Sequence, residues 1–219
     1  YRCKILKSGN INVDKLFRFN DKNKYTHISL EHAKKLNLKI ELIQDSQPNC
    51  LRYSREKLIS FEEVFGQYVN FLFDLKQKKV PKAKDILNIL WGACCEYNKK
   101  KYFCDDKIIE LDCEDEILNL RPYKFNEEVD ILETVSRTSY FKTNFARLGP
   151  FLISRGRNLI SNIISPYADK IHRIHTDGFI SDTKLDIKLG DKLGDLVYEG
   201  YCENCHIVNC SNKGGVFTL

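Results

Sequence analysis

The chain contains no methionine, no run of about 18 apolar residues that could cross a bilayer, and no stretch built like a secretory signal. With no membrane span or export signal to place, the chain is expected inside the cell, in cytoplasm or nucleus. An opening without Met that already alternates like a strand predicts a piece of a longer polypeptide. Neither sign of charge dominates: a net charge of +5 and a pI near 8.6 permit a polyanionic partner without demanding one. The nine cysteines are an odd number without a secretory signal, which argues against a closed disulfide framework and favours reduced thiols. What is present is enough for a core. With 42% hydrophobic and 11% aromatic residues over 219 positions, the chain can fold as one domain or two intimate subdomains.

Periodicity supplies the elements. Residues 1–20 alternate as strands do, and Asp21–Lys24 reads as a polar turn. Ser29 is the expected cap of a helix carrying Ala33 and Leu36. Leu38–Ile43 alternates like a half-buried strand. Ser60-Phe-Glu-Glu63 is a capping box, and Phe61, Val64, Phe65, Tyr68, Leu72 and Leu75 recur at helical spacing, predicting a long amphipathic helix that Pro81 ends. A second helix, from about Lys82 to Tyr97, is expected to bury Ile86, Leu87, Leu90 and Cys94. The acidic stretch from Asp112 to Glu116 reads as a solvent-facing loop or edge. Ser136–Arg147 is irregular, and Pro150 suits the first turn of a further helix. That helix has Phe151, Leu152, Leu159, Ile160, Ile163 and Ile164 to bury. Ile171–His175 and Phe179–Ser181 are the arms of a hairpin. Helices on one face of a small antiparallel sheet make an α+β architecture.

Two clusters carry chemistry. Lys84, Asn88 and Trp91 stand at i, i+4 and i+7, hence on one face of the second helix, with Gly92 permitting close approach of another group. Such a face offers a cation for phosphate, an amide and an aromatic; it is also how a solvated edge beside a core aromatic looks. His175-Thr176-Asp177-Gly178 places a carboxylate at a turn, and Asp-Gly is equally an ordinary type I′ hairpin signal. Basic residues bracket both: Lys76, Lys78, Lys79 and Lys82 before the helix, Lys99–Lys101 after it, and Arg147, Arg155 and Arg157 before the hairpin. Phosphate neutralisation along a duplex would use them.

Lys84-Asp-Ile-Leu-Asn88-Ile-Leu-Trp91-Gly92 resembles the fingers motif of family B DNA polymerases, K-x-x-x-N-S-x-Y-G, with Ile89 for Ser and Trp91 for Tyr. His175–Gly178 resembles their palm motif D-T-D-S and follows in the same order. Tyr1–Ile5 is similar to the strand after the first palm motif, and Leu193–Glu199 to the L-G-x-L-K-x-E segment, so the likeness covers nearly the whole chain. The His-Thr-Asp-Gly variant looks most like the polymerases of eukaryotic DNA viruses and related mobile elements.

The resemblance implies a fold and a reaction. The fold would be a polymerase palm with a helical-hairpin fingers insertion: palm residues 1–58, fingers 59–100, and palm 101–219 leading toward a thumb. The reaction would be template-directed nucleotidyl transfer on a DNA primer-template with deoxynucleoside triphosphates and two Mg²⁺ ions, in a group where a terminal protein sometimes primes. By position, Asp177 corresponds to the metal-binding, catalytic aspartate. Lys84, Asn88, Trp91 and Gly92 correspond to the nucleotide site, and Thr176, Gly178, Arg155, Arg157 and Lys82 are the expected DNA contacts. The departures matter. His175 replaces the first aspartate of D-T-D-S, Val197 replaces a primer-contacting lysine, and Glu199 keeps the acidic partner of that segment. Neither the D-x-x-S-L-Y-P-S motif that carries the other metal-binding aspartate nor a proofreading acidic cluster occurs in these residues, so the chain by itself is expected to be inactive or nearly so. Two alternatives stay open: a polymerase relic that only binds nucleic acid, and a zinc- or thiol-dependent interaction domain built on Cys202, Cys205, His206 and Cys210. The Cys202-x-x-Cys205-His206 spacing also matches c-type haem attachment.

Overall fold

Alternation in the first residues closes a small sheet at once. Cys3–Ile5 forms β1, with Cys3 and Ile5 buried and Lys4 exposed. It pairs antiparallel with β2, Ile40–Leu42, in the register Cys3↔Leu42 to Ile5↔Ile40. The computed structural model describes residues 1–54, 56, 58–104, 111, 114–124, 126–207 and 213–218. They divide into two compact units, Tyr1–Gly66 with Pro150–Leu219, and Gln67–Gly149. Among the described residues there are five α-helices and four small antiparallel sheets, so the chain is α+β.

In the first unit a short helix, α1 (Ile11–Asp14), is capped by Asn10, whose side chain accepts from the Asn12 N–H. The Asp14 carboxylate accepts from the Ser8 N–H and hydroxyl at 2.8 and 2.9 Å, which closes the preceding loop. The next helix, α2, spans His27–Lys35. Its cap is Thr26 and not Ser29: Thr26 Oγ1 accepts from the Ser29 N–H at 3.2 Å. Both residues can cap, and the apolar flanks decide between them. Tyr25 before Thr26 and Leu30 four residues after it pack in the same cluster, a hydrophobic staple that fixes the chain's entry at Thr26.

This unit also holds α5 (Leu148–Ile164) from Pro150 onward, and Pro150 lies in the first turn of that helix, as its sequence predicts. The helix leads through a 3₁₀ segment, Ser165–Lys170, into β6 (Ile171–His175) and β7 (Gly178–Ser181). α2 runs along α5: Ser29 donates to the Ser154 hydroxyl at 3.2 Å, His32 Nε2 lies 2.8 Å from Ser161 Oγ, and the His27 and Phe151 rings are 5.6 Å apart. His32 is buried, and that desolvation, helped by Lys35, holds its imidazole below the ordinary 6.5, so it is neutral at physiological pH. Ile160 and Ile164 close a second cluster with Leu16 and Ile171. Leu152, Leu159 and Ile163, expected in the core, are instead exposed. A stripe of this width is broader than the surface that this unit lays against it.

The second unit holds the part of α3 (Phe61–Gln77) from Gln67 onward, α4 (Ala83–Cys94), and a three-stranded sheet of order β3-β5-β4. β3 is Lys99–Cys104, β4 Asp115–Tyr123 and β5 Asn126–Ser136. The capping box at the start of α3 forms: the Ser60 N–H donates to Glu63 Oε2 at 3.0 Å, and Ser60 Oγ accepts from the Glu62 N–H at 3.2 Å. Of its expected apolar stripe, Leu72 is buried while Phe61, Val64 and Tyr68 are exposed. Periodicity identifies a face but not a partner that covers it. The acidic stretch read as a loop opens β4 instead. Asp115 has its carboxylate buried and 3.2 Å from the Lys100 ammonium, because an ion pair offsets the desolvation that made exposure the expectation. Asp112 and Cys113 lie outside the described residues.

In the C-terminal cysteine-rich segment, β8 (Tyr201–Ile207) pairs antiparallel with β9 (Lys213–Thr218). No described helix is long and apolar enough to cross a membrane.

Candidate nucleotide and metal site

The β6–β7 hairpin presents Asp177. His175 pairs with Gly178, so Thr176 and Asp177 are the two residues of the turn, and all of His175, Thr176 and Asp177 are exposed. Only Thr176 of the two has positive φ, at 53°. The turn is therefore not the type I′ expected from Asp-Gly, which needs positive φ at both central positions; Gly178 sits in the ladder instead. A β-branched residue in the left-handed region is an outlier that costs about 1–3 kcal/mol. The half-buried Ile174 and Phe179 hold the hairpin down on the Ile160–Ile164 cluster, which keeps the tip in place.

Asp177 offers one unshielded carboxylate. Mg²⁺ binds oxygen, keeps several waters, and takes one or two protein carboxylates, so the donor at Asp177 fits half of such a site. Among the described residues no group of three His, Cys, Asp or Glu side chains gathers there or elsewhere.

Lys84, Asn88, Trp91 and Gly92 lie on α4, and each is exposed, Trp91 at 47%. At about 100° per residue, the buried Ala83 and Cys94 and the half-buried Leu87 and Leu90 form the inward stripe, and Lys84, Asn88 and Trp91 form a second one roughly a quarter-turn round. Ile86, expected in the core, is 45% exposed, because it falls on the far side of the buried stripe. Nothing lies within 4 Å of where a Cβ on Gly92 would stand, so the surface beside Trp91 is open. Lys82 precedes the helix in the left-handed region (φ 65°), and its exposed side chain makes no capping bond.

Arg155 and Arg157 are both exposed on α5. Partial desolvation and the neighbouring Arg18 lower the guanidinium of Arg157 without discharging it. The basic run at 99–101 is different. Lys99 and Lys101 stand 3.2 and 3.6 Å from the Glu133 carboxylate, and Lys100 pairs with Asp115, so these lysines are largely engaged within their own sheet. Sequence spacing showed the cations, while their acidic partners came from strands more than 14 residues away.

The hydrogen bond from Lys99, reinforced by the charges of Lys99, Lys101 and Arg121, holds the Glu133 carboxyl below its ordinary 4.5. A folded-state value below the unfolded one means that the stabilisation is complete above about 4.5 and is lost as the pH falls through the lowered value. Acid unfolding followed by circular dichroism is expected to show this loss, and Glu133→Gln to flatten that part of the profile while lowering stability at neutral pH. An unchanged profile would show that the Lys99–Glu133–Lys101 cluster contributes nothing.

Cys202, Cys205 and His206 lie on β8, where the register shifts between Glu203 and His206, and Cys210 lies outside the described residues. Gly190 donates to the Leu196 carbonyl at 3.0 Å, which closes a loop over Gly190–Leu196, with Val197 exposed just beyond it.

No family model, no curated protein and no solved structure matches this chain.

Proposed function

We propose that the chain is the fingers and palm portion of a family B-like DNA polymerase, acting on a DNA primer-template with deoxynucleoside triphosphates and Mg²⁺. The observation that carries the reading is the pairing of two motifs with the element each needs. Lys84, Asn88 and Trp91 share one solvent-facing stripe of a helix, and Asp177 stands at the tip of a two-residue β-turn. Both sets of side chains are open to a ligand.

Each residue has a role that follows from its chemistry. The Lys84 ammonium neutralises charge on the triphosphate, as a preorganised cation does in phosphoryl transfer. Asn88 orients the sugar or inner phosphate through its amide. Trp91 packs beside the nascent base pair. Asp177 contributes one carboxylate toward divalent metal, which when bound supplies Lewis-acid activation of the attacking hydroxyl and neutralises the leaving pyrophosphate. Lys82, Arg155, Arg157, Thr176 and Gly178 then contact the DNA backbone. The second carboxylate that this chemistry requires belongs to a motif not contained in these residues. A relic that binds primer-template without extending it is the second reading, favoured because no group of three metal-ligating side chains gathers among the described residues.

Primer extension under single-turnover conditions tests the nucleotide face, using the chain together with any gene-encoded residues that precede Tyr1. Lys84→Ala is expected to slow incorporation about 10- to 100-fold. Trp91→Ala is expected to cost roughly 1–3 kcal/mol in nucleotide affinity, which Trp91→Phe largely restores. Binding of primer-template without any extension by the unmutated protein would leave the relic reading. Extension indifferent to both variants would remove α4 from the site.

A further inference from the structure

The sheet of the second unit carries a cavity that the polymerase reading does not use. It measures about 400 Å³ and is lined by Glu96, Tyr97, Lys99, Lys101, Glu133 and Lys142. Its size falls at the lower end of what small-ligand sites occupy, roughly 300–1,000 Å³.

Two features of its wall point to one ligand chemistry. The first is charge. Lys99 and Lys101 are two residues apart on β3, hence on one face, and both reach the single carboxylate of Glu133. Lys142 is matched one to one by Glu96 at 2.6 Å. Three ammonium groups therefore meet two carboxylates, and the excess positive charge sits at Lys101, the more distant partner of Glu133 and 55% exposed. The second feature is an aromatic platform. Tyr97 is 41% exposed and is braced by two rings, edge-on by Tyr140 and tilted against Phe141, each with ring centroids 5.2 Å away. A braced, half-exposed ring beside a cation is what a base joined to a phosphate requires, because the ring accepts a π-face while the ammonium takes the charge.

We propose that this cavity binds a nucleotide unit, with its phosphate at Lys99 and Lys101 and its base on Tyr97. The unit is either a free nucleotide or one residue of a single strand, and both present the same phosphate and base. The inference does not rest on the polymerase reading, since it uses none of the residues assigned to that site.

The test is equilibrium binding to the full chain of three probes: inorganic phosphate, deoxyadenosine 5′-monophosphate and a short single-stranded oligodeoxyadenylate. The variants are Tyr97→Ala, Tyr97→Phe and Lys101→Gln, the last leaving the Lys99–Glu133 pair intact so that the sheet keeps its fold; circular dichroism checks this. Tyr97→Ala is expected to weaken the nucleotide or the oligomer about fivefold or more, with Tyr97→Phe close to wild type. Lys101→Gln is expected to weaken it to a similar degree and to reduce the salt slope by about one. Monophosphate and oligomer binding equally tightly assigns a free nucleotide, and a much tighter oligomer assigns a single strand. The proposal is overturned if neither nucleotide probe binds, if binding ignores the Tyr97 and Lys101 changes, or if inorganic phosphate binds as tightly as the monophosphate.

Discussion

Asp177→Ala is expected to reduce primer extension by a factor of about 1,000 or more, since a metal-binding carboxylate governs several kcal/mol of charge stabilisation in the transition state. The folded state should hardly notice. Asp177 is exposed and makes no hydrogen bond or ion pair with another described residue, and the strain of its turn resides in Thr176. Substitution at such a position usually moves stability by no more than about 0.5 kcal/mol. Primer-template binding should survive as well, because the charged backbone contacts are assigned to Lys82, Arg155 and Arg157, and Thr176 and Gly178 are unchanged. The measurement is extension with Mg²⁺ and all four deoxynucleotides by the chain together with any gene-encoded residues that precede Tyr1, beside a thermal melt of the same preparation. Asp177→Asn separates charge from shape, because asparagine suits the same turn but cannot neutralise a divalent cation as well. Full extension by either variant would end the reading of this hairpin as a catalytic element.

Elements governed by local chemistry were the legible part of this fold. The capping box at Ser60, the helix carrying Lys84 to Trp91, Pro150 in the first turn of α5 and the hairpin around Asp177 all follow from residues within a few positions of one another. What the sequence hid depends on partners distant along the chain. Asp115 became a strand residue with a buried carboxylate because Lys100 neutralises it from β3, and of the run Lys99–Lys101 two charges are offset by Glu133 and Asp115, which leaves one in excess. Thr26 displaced Ser29 as a cap through the packing of Tyr25 and Leu30, which no spacing rule ranks. The sheet arrangement is likewise only partly legible, since the resemblance implies one small antiparallel sheet. The strands of the first unit form β1–β2, β6–β7 and β8–β9 as separate two-stranded pieces, and no ladder among the described residues joins them. The exposed stripe Lys84, Asn88 and Trp91 could be anticipated because Ala83, Leu87, Leu90 and Cys94, buried or half-buried, turn the helix so that this side of α4 is left to solvent. For Ile86 and Phe61 the apolar character was plain, but nothing in the sequence said whether a surface would meet them.

Ile164→Ala is the core change with the largest expected effect on stability, because Ile164 is fully buried where α5 meets the start of the hairpin. Removing its branched side chain leaves a cavity among Leu16, Ile160 and Ile171, and such a change costs roughly 2–5 kcal/mol. Domains of this size hold only about 5–15 kcal/mol in total, so the folded fraction should fall sharply on mild heating. Ile164→Val keeps most of the volume and is expected to cost about 0.5–1.5 kcal/mol. Leu159→Ala, one turn away but 55% exposed, should cost far less. Urea unfolding measures all three: the midpoint should shift in that order with an unchanged slope, as loss of packing without a change in exposed surface requires. The same cluster seats Ile174 and Phe179, the half-buried residues that flank the Asp177 turn. Primer extension by Ile164→Ala should therefore fall with temperature in step with its melting curve, whereas Asp177→Ala should be inactive at every temperature while remaining folded. If Ile164→Ala unfolds at the wild-type midpoint, this cluster is not the core on which the hairpin rests.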